Sequence, residues 1–296
     1  MNLEKPLNIL VQRRASIGDV IMTTGVVREL KKKYGTNANI DIATDFLEVY
    51  RNNPHIRNVF PVDQIPPVNN RYDLYYNLDD AYENNPTVHY VENYFYRIFG
   101  TTNMDMSVEL FQDTQDMQFV DRDIMDFGLN YIVVHMRNWH WTAKNISMDV
   151  WLEVFGKVFE ERTDFNIVCV GGETDNFVDH PLFFDARGKY NSQQIKYLCD
   201  KAKCFVGIDS GPFHCAAASK THIIGLLTHV RPEVIMPHRK WQYEYNAVSI
   251  QTLEDCRGCN DDQVRPVRQL ACKKGNTPCN NNFDTDAIAK EILKTL

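Results

Sequence analysis

The segment KCFVGIDSGPFHCAAASKTHIIGLL, Lys203–Leu227, constrains the fold more than any other stretch of the chain. Two short apolar runs, Cys204–Asp209 and Ile223–Leu227, flank a helical stretch at Pro212–Ser219. Apolar runs of that length read as strands buried on both faces. Strand, helix and strand in immediate succession make a parallel crossover unit. Between them lies the loop Asp209-Ser210-Gly211-Pro212. Ser210 and Asp209 are good capping types, and Pro212 suits a first helical position. Such a loop directs free N–H groups and the positive end of a helix dipole beyond the strand's carboxyl end, a setting that suits a phosphate. A nucleotide-using protein is the reading that follows.

The same alternation runs through the rest of the chain. Leu7–Arg13, Asn39–Thr44, Asn58–Val62 and Tyr72–Leu78 read as strands. A helix from Val20, closed by Gly35, and an aromatic-rich helix Thr87–Phe99 lie among them. The polar stretch 101–127 holds one helix or strand and a connection. The pattern restarts with strands at Tyr131–Arg137, Asn166–Gly171 and Phe183–Ala186, and helices at Met148–Glu161 and Ser192–Ala202. A last helix spans Asp284–Thr295. Two doubly wound, Rossmann-like halves are expected, 1–127 and 128–250, facing each other across a cleft. A cysteine-rich segment, 251–283, and a closing helix, 284–296, complete the chain.

With 296 residues there is material for two domains, and 44% hydrophobic against 24% charged residues is the balance of a globular protein. The formal net charge of −7 argues against a nucleic-acid partner held by general electrostatics. The run Lys31-Lys32-Lys33 reads as the solvated end of a helix. No stretch of about 18 apolar residues predicts a membrane span, and the N-terminus lacks the pattern of a signal peptide. A cytoplasmic setting is expected, so the eight cysteines call for an explanation other than disulfides.

Several residues at expected strand ends invite chemistry. Asp19, in Arg14-Ala15-Ser16-Ile17-Gly18-Asp19, stands at the mouth of the first helix, as a cap or as a general base facing the cleft. The motif lacks the G-x-G-x-x-G glycines and the Walker lysine. Arg137 and Lys144 lie on the loop after the fifth strand, as solvated charges or as a clamp for a diphosphate. Gly172 and Glu173 follow the next strand, where an acidic residue suits ribose hydroxyls. His214 lies one turn into the helix after the phosphate loop, as a structural partner or a catalyst. No Ser-His-Asp set is apparent. Cys256-Arg257-Gly258-Cys259, then Cys272 and Cys279, have twelve and six intervening residues in a polar, Gly/Pro/Asn-rich loop. That spacing is what a tetrahedral thiolate site needs, and thiolate softness permits iron or zinc. Cys169, Cys199, Cys204 and Cys215 read as small core residues.

Arg14–Tyr34 (RASIGDVIMTTGVVRELKKKY) and Phe205–Ala218 (FVGIDSGPFHCAAA) together resemble the ADP-heptose glycosyltransferases of the two-domain GT-B class. The resemblance implies an inverting glycosyltransferase that moves a heptose or related sugar from a nucleotide diphosphate-sugar to an acceptor hydroxyl. It implies Asp19 as catalytic base and a donor diphosphate at Asp209, Ser210 and Gly211. It also implies Lys144 on phosphate, Glu173 on ribose and no catalytic divalent metal. The first half would take the acceptor, a saccharide or a protein hydroxyl, and the second half the donor. The cysteine appendage is similar to the iron-binding finger of autotransporter heptosyltransferases, which implies structural iron or zinc on Cys256, Cys259, Cys272 and Cys279. A sugar-nucleotide epimerase of the same architecture and a non-catalytic nucleotide-binding module are the alternatives. Assembly into a homo-oligomer stays open.

Overall fold

The computed structural model describes residues 5–68, 71–239, 246–261, 272 and 274–296. Its strands are β1 (Leu7–Gln12), β2 (Ala38–Ala43), β3 (Asn58–Phe60), β4 (Leu74–Asn77), β5 (Tyr131–His135), β6 (Asn166–Cys169), β7 (Phe183–Asp185), β8 (Cys204–Gly207), β9 (His222–Leu227) and β10 (Ala247–Gln251). Its helices are α1 (Ile17–Met22), α2 (Thr24–Tyr34), α3 (Tyr90–Phe99), α4 (Thr114–Phe127), α5 (Met148–Glu161), α6 (Ser192–Lys201), α7 (Gly211–Ala217), α8 (Pro232–Ile235) and α9 (Thr285–Leu293). The strands form two sheets, ordered β3-β2-β1-β4 and β10-β9-β8-β5-β6-β7. All paired neighbours are parallel, with Ile9 opposite both Ile40 and Leu74, and Val133 opposite both Val168 and Phe205. The fold is therefore α/β with parallel sheets.

Alternate residues of the second sheet enter two different cores. Val133, Val168, Phe205 and Ile223 join a cluster that continues through α6 and α7 to α1, α2 and the first sheet. Ile132, Val134, Ile167, Val206 and Ile224 face the opposite side, under α5 and α9. Burial on both faces is why these strands are apolar throughout rather than alternating. Helix α5 shows the matching pattern, burying Val150, Trp151, Val154, Phe155 and Val158, with Ser147 capping it by accepting from the Val150 N–H.

The helix expected from Val20 to Gly35 is instead two helices. It begins earlier, at Ile17, and breaks at Thr23. The Thr23 and Thr24 hydroxyls donate to the carbonyls of Val20 and Ile21, each at 2.7 Å, competing with the helical ladder. Two elements went unforeseen, α8 and the half-buried strand β10, which among the described residues pairs only with β9. Helix α4 is tied to the second half: Tyr197 donates to Asp121 at 3.2 Å, and Lys189 pairs with Asp123 at 2.8 Å. The lysine run ends α2, where Lys31 donates to the carbonyls of Thr36 and Ala38.

The halves meet where α1 packs on α7. Two glycines permit that approach. A Cβ at Gly18 would stand 2.6 Å from Cδ2 of His214, and one at Gly211 would stand 2.8 Å from Cγ2 of Ile17. Among the described residues, no helix is long and apolar enough to cross a membrane. Overpacking this joint by Gly18→Ala is expected to cost about 1–3 kcal/mol. A lower urea midpoint at an unchanged slope checks it.

Candidate active site

A cleft of about 770 Å³ opens between the halves, at the carboxyl ends of both sheets. The first half contributes the turn before α1, α1 itself, Phe46, and the residues after β4, including Tyr82 and Glu83. The second half contributes Arg137, Trp139, Trp141, Lys144, the loop Asp209–Gly211, and His214.

On the first side, Asp19 occupies the third position of α1 and reaches back to the Ser16 N–H at 2.9 Å, closing a capping box. The same Oδ2 receives Arg13 Nη2 at 2.6 Å. Among the described residues, its Oδ1 receives only the Tyr82 hydroxyl, at 3.1 Å, which leaves that oxygen room for another donor. Asp19 is thus a cap and also lines the cleft. Arg13 is buried and bridges Asp19 and Glu83, at 2.6 and 2.7 Å. Burial opposes the Arg13 charge, but the surrounding phenols and acids more than reverse this and raise its proton affinity.

On the second side, Asp209 is buried at the end of β8. Lys144 Nζ lies 2.6 Å from its Oδ2, and His214 Nε2 3.1 Å from its Oδ1. Burial opposes this charge too, but Lys144 and His214 hold the carboxyl well below the usual range. His214 is therefore a partner of Asp209 that also lines the cleft. Ser210 caps α7, accepting from the Phe213 N–H.

A Ser-His-Asp chain, not apparent in the sequence, is present. His135 Nδ1 lies 2.8 Å from Ser210 Oγ and its Nε2 2.9 Å from Asp175 Oδ2. Burial lowers the proton affinity of His135, with Asp175 opposing. A neutral ring donates its one N–H, at Nε2, to the Asp175 carboxylate, so Nδ1 accepts the Ser210 O–H. The hydroxyl is thereby turned toward the histidine, and its oxygen is left to cap α7.

Arg137 has no ion-pair partner among the described residues, and its buried Nε has no hydrogen-bond partner. Its guanidinium lies 5.2 Å from the Trp139 ring centroid. Burial lowers its proton affinity, and Asp209 and Asp175 oppose that only at a distance. A mostly buried cation without an acceptor is costly, and an anionic ligand would satisfy it. Beside it is a second cavity, of about 350 Å³, with walls that include Ile17, Tyr190, Ile195, Pro212 and Gly172. Glu173 is exposed and lines neither cavity; its Cγ lies against Gly188 instead.

Arg13, Tyr82 and Glu83 escaped the sequence reading. The rule that sites gather at the carboxyl ends of parallel strands was the available signal, since Tyr82 and Glu83 follow β4.

The four cysteines of the C-terminal segment are free thiols. The buried Cys279 thiol is pushed up to about 12, first by burial and then by Cys272, Cys256 and Cys259. The Cys259 N–H bonds the Cys256 carbonyl at 3.2 Å, and Gly258 between them adopts a φ of 74°. Glu254, Asp255 and Cys256 also place ligating atoms within 4.8 Å of one another. Both of those acids are already paired with Lys274.

Residues 71–263 match the model of glycosyltransferase family 9 (heptosyltransferase). The chain belongs to this family. It is a glycosyltransferase, and the cleft between its halves is the candidate active site of a family-9 enzyme. No curated protein matches the sequence closely enough to count as a relative. Solved structures share its fold. The family-9 glycosyltransferase from Veillonella parvula has a TM-score of 0.72 at 15% identity, covering 100% of this chain and 98% of that one. E. coli ADP-heptose LPS heptosyltransferase II has a TM-score of 0.64 at 15% identity, covering 84% and 92%. The iron-containing dodecameric glycosyltransferase TibC from enterotoxigenic E. coli H10407 has a TM-score of 0.68 at 14% identity, covering 99% and 77%. At such identities the likeness is one of fold.

Asp209, held below the ordinary value of 3.8, contributes stability that is present above that value and lost as pH falls through the lowered one. Removing its cation raises the value. Lys144→Met is expected to destabilise the protein by about 2–4 kcal/mol at pH 7. Its acid unfolding should begin at higher pH than in the wild type, and circular dichroism across an acid titration checks both.

Proposed function

We propose that the chain is an inverting glycosyltransferase of the GT-B type, transferring heptose or a related sugar from an ADP-linked or similar nucleotide donor. The observation that carries this reading is Arg137, a cation without an ion-pair partner among the described residues, lining both cavities beside the Asp209–Gly211 loop. The donor diphosphate pairs with Arg137 and Lys144, and the nucleoside enters the smaller cavity past Gly172. As the bond from the anomeric carbon to phosphate breaks, negative charge grows on the leaving diphosphate, and the two cations stabilise it. An acceptor hydroxyl attacks the anomeric carbon from the opposite side. Its proton passes to Oδ1 of Asp19, the oxygen that, among the described residues, carries only the Tyr82 hydroxyl. The acceptor is a saccharide or a protein hydroxyl. The ADP-heptose named for the E. coli enzyme and for one TibC structure supports this donor class.

Asp19→Asn is expected to lower turnover about 10²–10⁴-fold while leaving ADP affinity unchanged. Loss of ADP binding instead would make Asp19 structural only. Calorimetric titration with ADP, beside a turnover assay with ADP-heptose, separates the two.

The reading includes structural iron or zinc on Cys256, Cys259, Cys272 and Cys279. The donor set is of the right chemistry: four free thiols, three of them each raising the proton affinity of the fourth, Cys279, in a segment with little apolar material. Such an ion crosslinks the loop and holds it folded. Elemental analysis should find about one iron or zinc per chain. Cys259→Ser should lose the metal and lower the melting temperature. Full metal content in that variant would contradict the assignment.

A further inference from the structure

We infer that the cysteine-bearing segment positions Lys144, through Asn280 at one end and, by way of the loop after β9, through Thr228 at the other; this deepens the donor reading above and rests on it. Lys144 closes the short 3₁₀ turn Thr142–Lys144, in the loop between β5 and α5. Within it the Lys144 N–H donates to the Trp141 carbonyl at 2.9 Å, and the Asn145 N–H to the Thr142 carbonyl at 3.0 Å. A single 3₁₀ turn has poor hydrogen-bond geometry and little stability of its own. The bonds that brace it come from the far end of the chain. Asn280 follows Cys279 in a second such turn, Pro278–Asn280. Its Nδ2 donates to the Thr142 carbonyl at 2.9 Å, and its carbonyl accepts the Ser147 N–H at 3.0 Å. Ser147 is the cap of α5, so one residue grips the stretch on both sides of Lys144.

The second brace starts from the other pair of cysteines. The Gly258 N–H, between Cys256 and Cys259, donates to the Thr228 carbonyl at 3.3 Å. The Asn260 N–H donates to the His229 carbonyl at 2.9 Å, and the Asp261 carboxylate accepts the Arg231 N–H at 2.7 Å. The loop after β9 is thereby fixed, and the buried Thr228 hydroxyl donates from it to the Ala143 carbonyl at 2.5 Å. Neither Asn280 nor Thr228 lines the cleft or the smaller cavity, so each acts through the turn. Lys144 is then held at its base by these bonds and at its tip by Asp209, 2.6 Å from Nζ. A cation held at both ends meets a diphosphate already ordered. Lys144 lines the cleft but not the smaller cavity, where the nucleoside is proposed to sit. Loss of either brace is therefore felt by the phosphates and not by the nucleoside.

The test measures ADP binding by calorimetry and adenosine binding by saturation-transfer NMR, on the full chain and on Asn280→Ala, Thr228→Val and Thr228→Ser. Thr228→Val keeps the side-chain shape without the hydroxyl, and Thr228→Ser keeps the hydroxyl. Asn280→Ala and Thr228→Val should each weaken ADP about three- to tenfold, the worth of one hydrogen bond, with adenosine within about twofold of the wild type. Thr228→Ser should bind ADP as the wild type does. Unchanged ADP affinity with a lowered melting temperature overturns the inference, as does an equal loss of ADP and adenosine, or a loss in Thr228→Ser that matches Thr228→Val. Should Thr228→Val fail to fold, Asn280→Ala, at a half-buried position, decides alone. Failure of ADP to bind the wild type overturns the donor reading on which the inference rests.

Discussion

The buried carboxylate of Asp209 is the interaction on which the rest of the site depends. A charge at the end of β8 is tolerable there only because Lys144 and His214 both reach it. In reaching it, each brings a separate element into place. Lys144 fixes the loop between β5 and α5 on the cleft's second side. His214 fixes α7, whose first residues form the loop facing the cleft. Ser210, the next residue, is locked in turn by His135 and Asp175. Three strand ends, β5, β6 and β8, are thus tied beneath one loop before any ligand arrives. Preorganisation of this kind lets binding energy go into the reaction rather than into ordering the site.

The joint between the halves serves the same end. Gly18 and Gly211 let α1 and α7 pack closely enough that the apolar core runs unbroken from one sheet to the other. Asp19, on α1, is therefore set against the second half by packing as well as by its own cluster. That cluster inverts the electrostatics of the second side. There, cations face the cleft and a carboxylate lies beneath them. On the first side, Arg13 lies beneath and the carboxylates face the cleft. In the proposed mechanism, a leaving anion and a departing proton each meet the opposite charge.

The doubly wound plan was legible because strands buried on both faces and helices with one apolar stripe leave unmistakable patterns, as at Cys204–Gly207 and Met148–Glu161. Asp19, Arg137, Lys144, Asp209, Ser210, Gly211 and His214 were found by their places at strand ends, and the structure brings them around one cleft. Glu173 was chosen by the same logic, and the structure leaves it exposed beside Gly188, lining neither cavity. The break at Thr23 turned on side-chain hydroxyls competing with the backbone, and β10 is an edge strand with a weak apolar pattern. The Ser210–His135–Asp175 chain joins residues 75 and 40 positions apart, which only the folded sheet brings together.

The most direct measurement is the position of the phosphates in a crystal structure of the chain with ADP. The account places them within hydrogen-bond reach of Arg137 and Lys144, with the nucleoside in the cavity beside Tyr190 and Ile195. Phosphates directed away from both cations, or ADP bound outside the cleft, would contradict it.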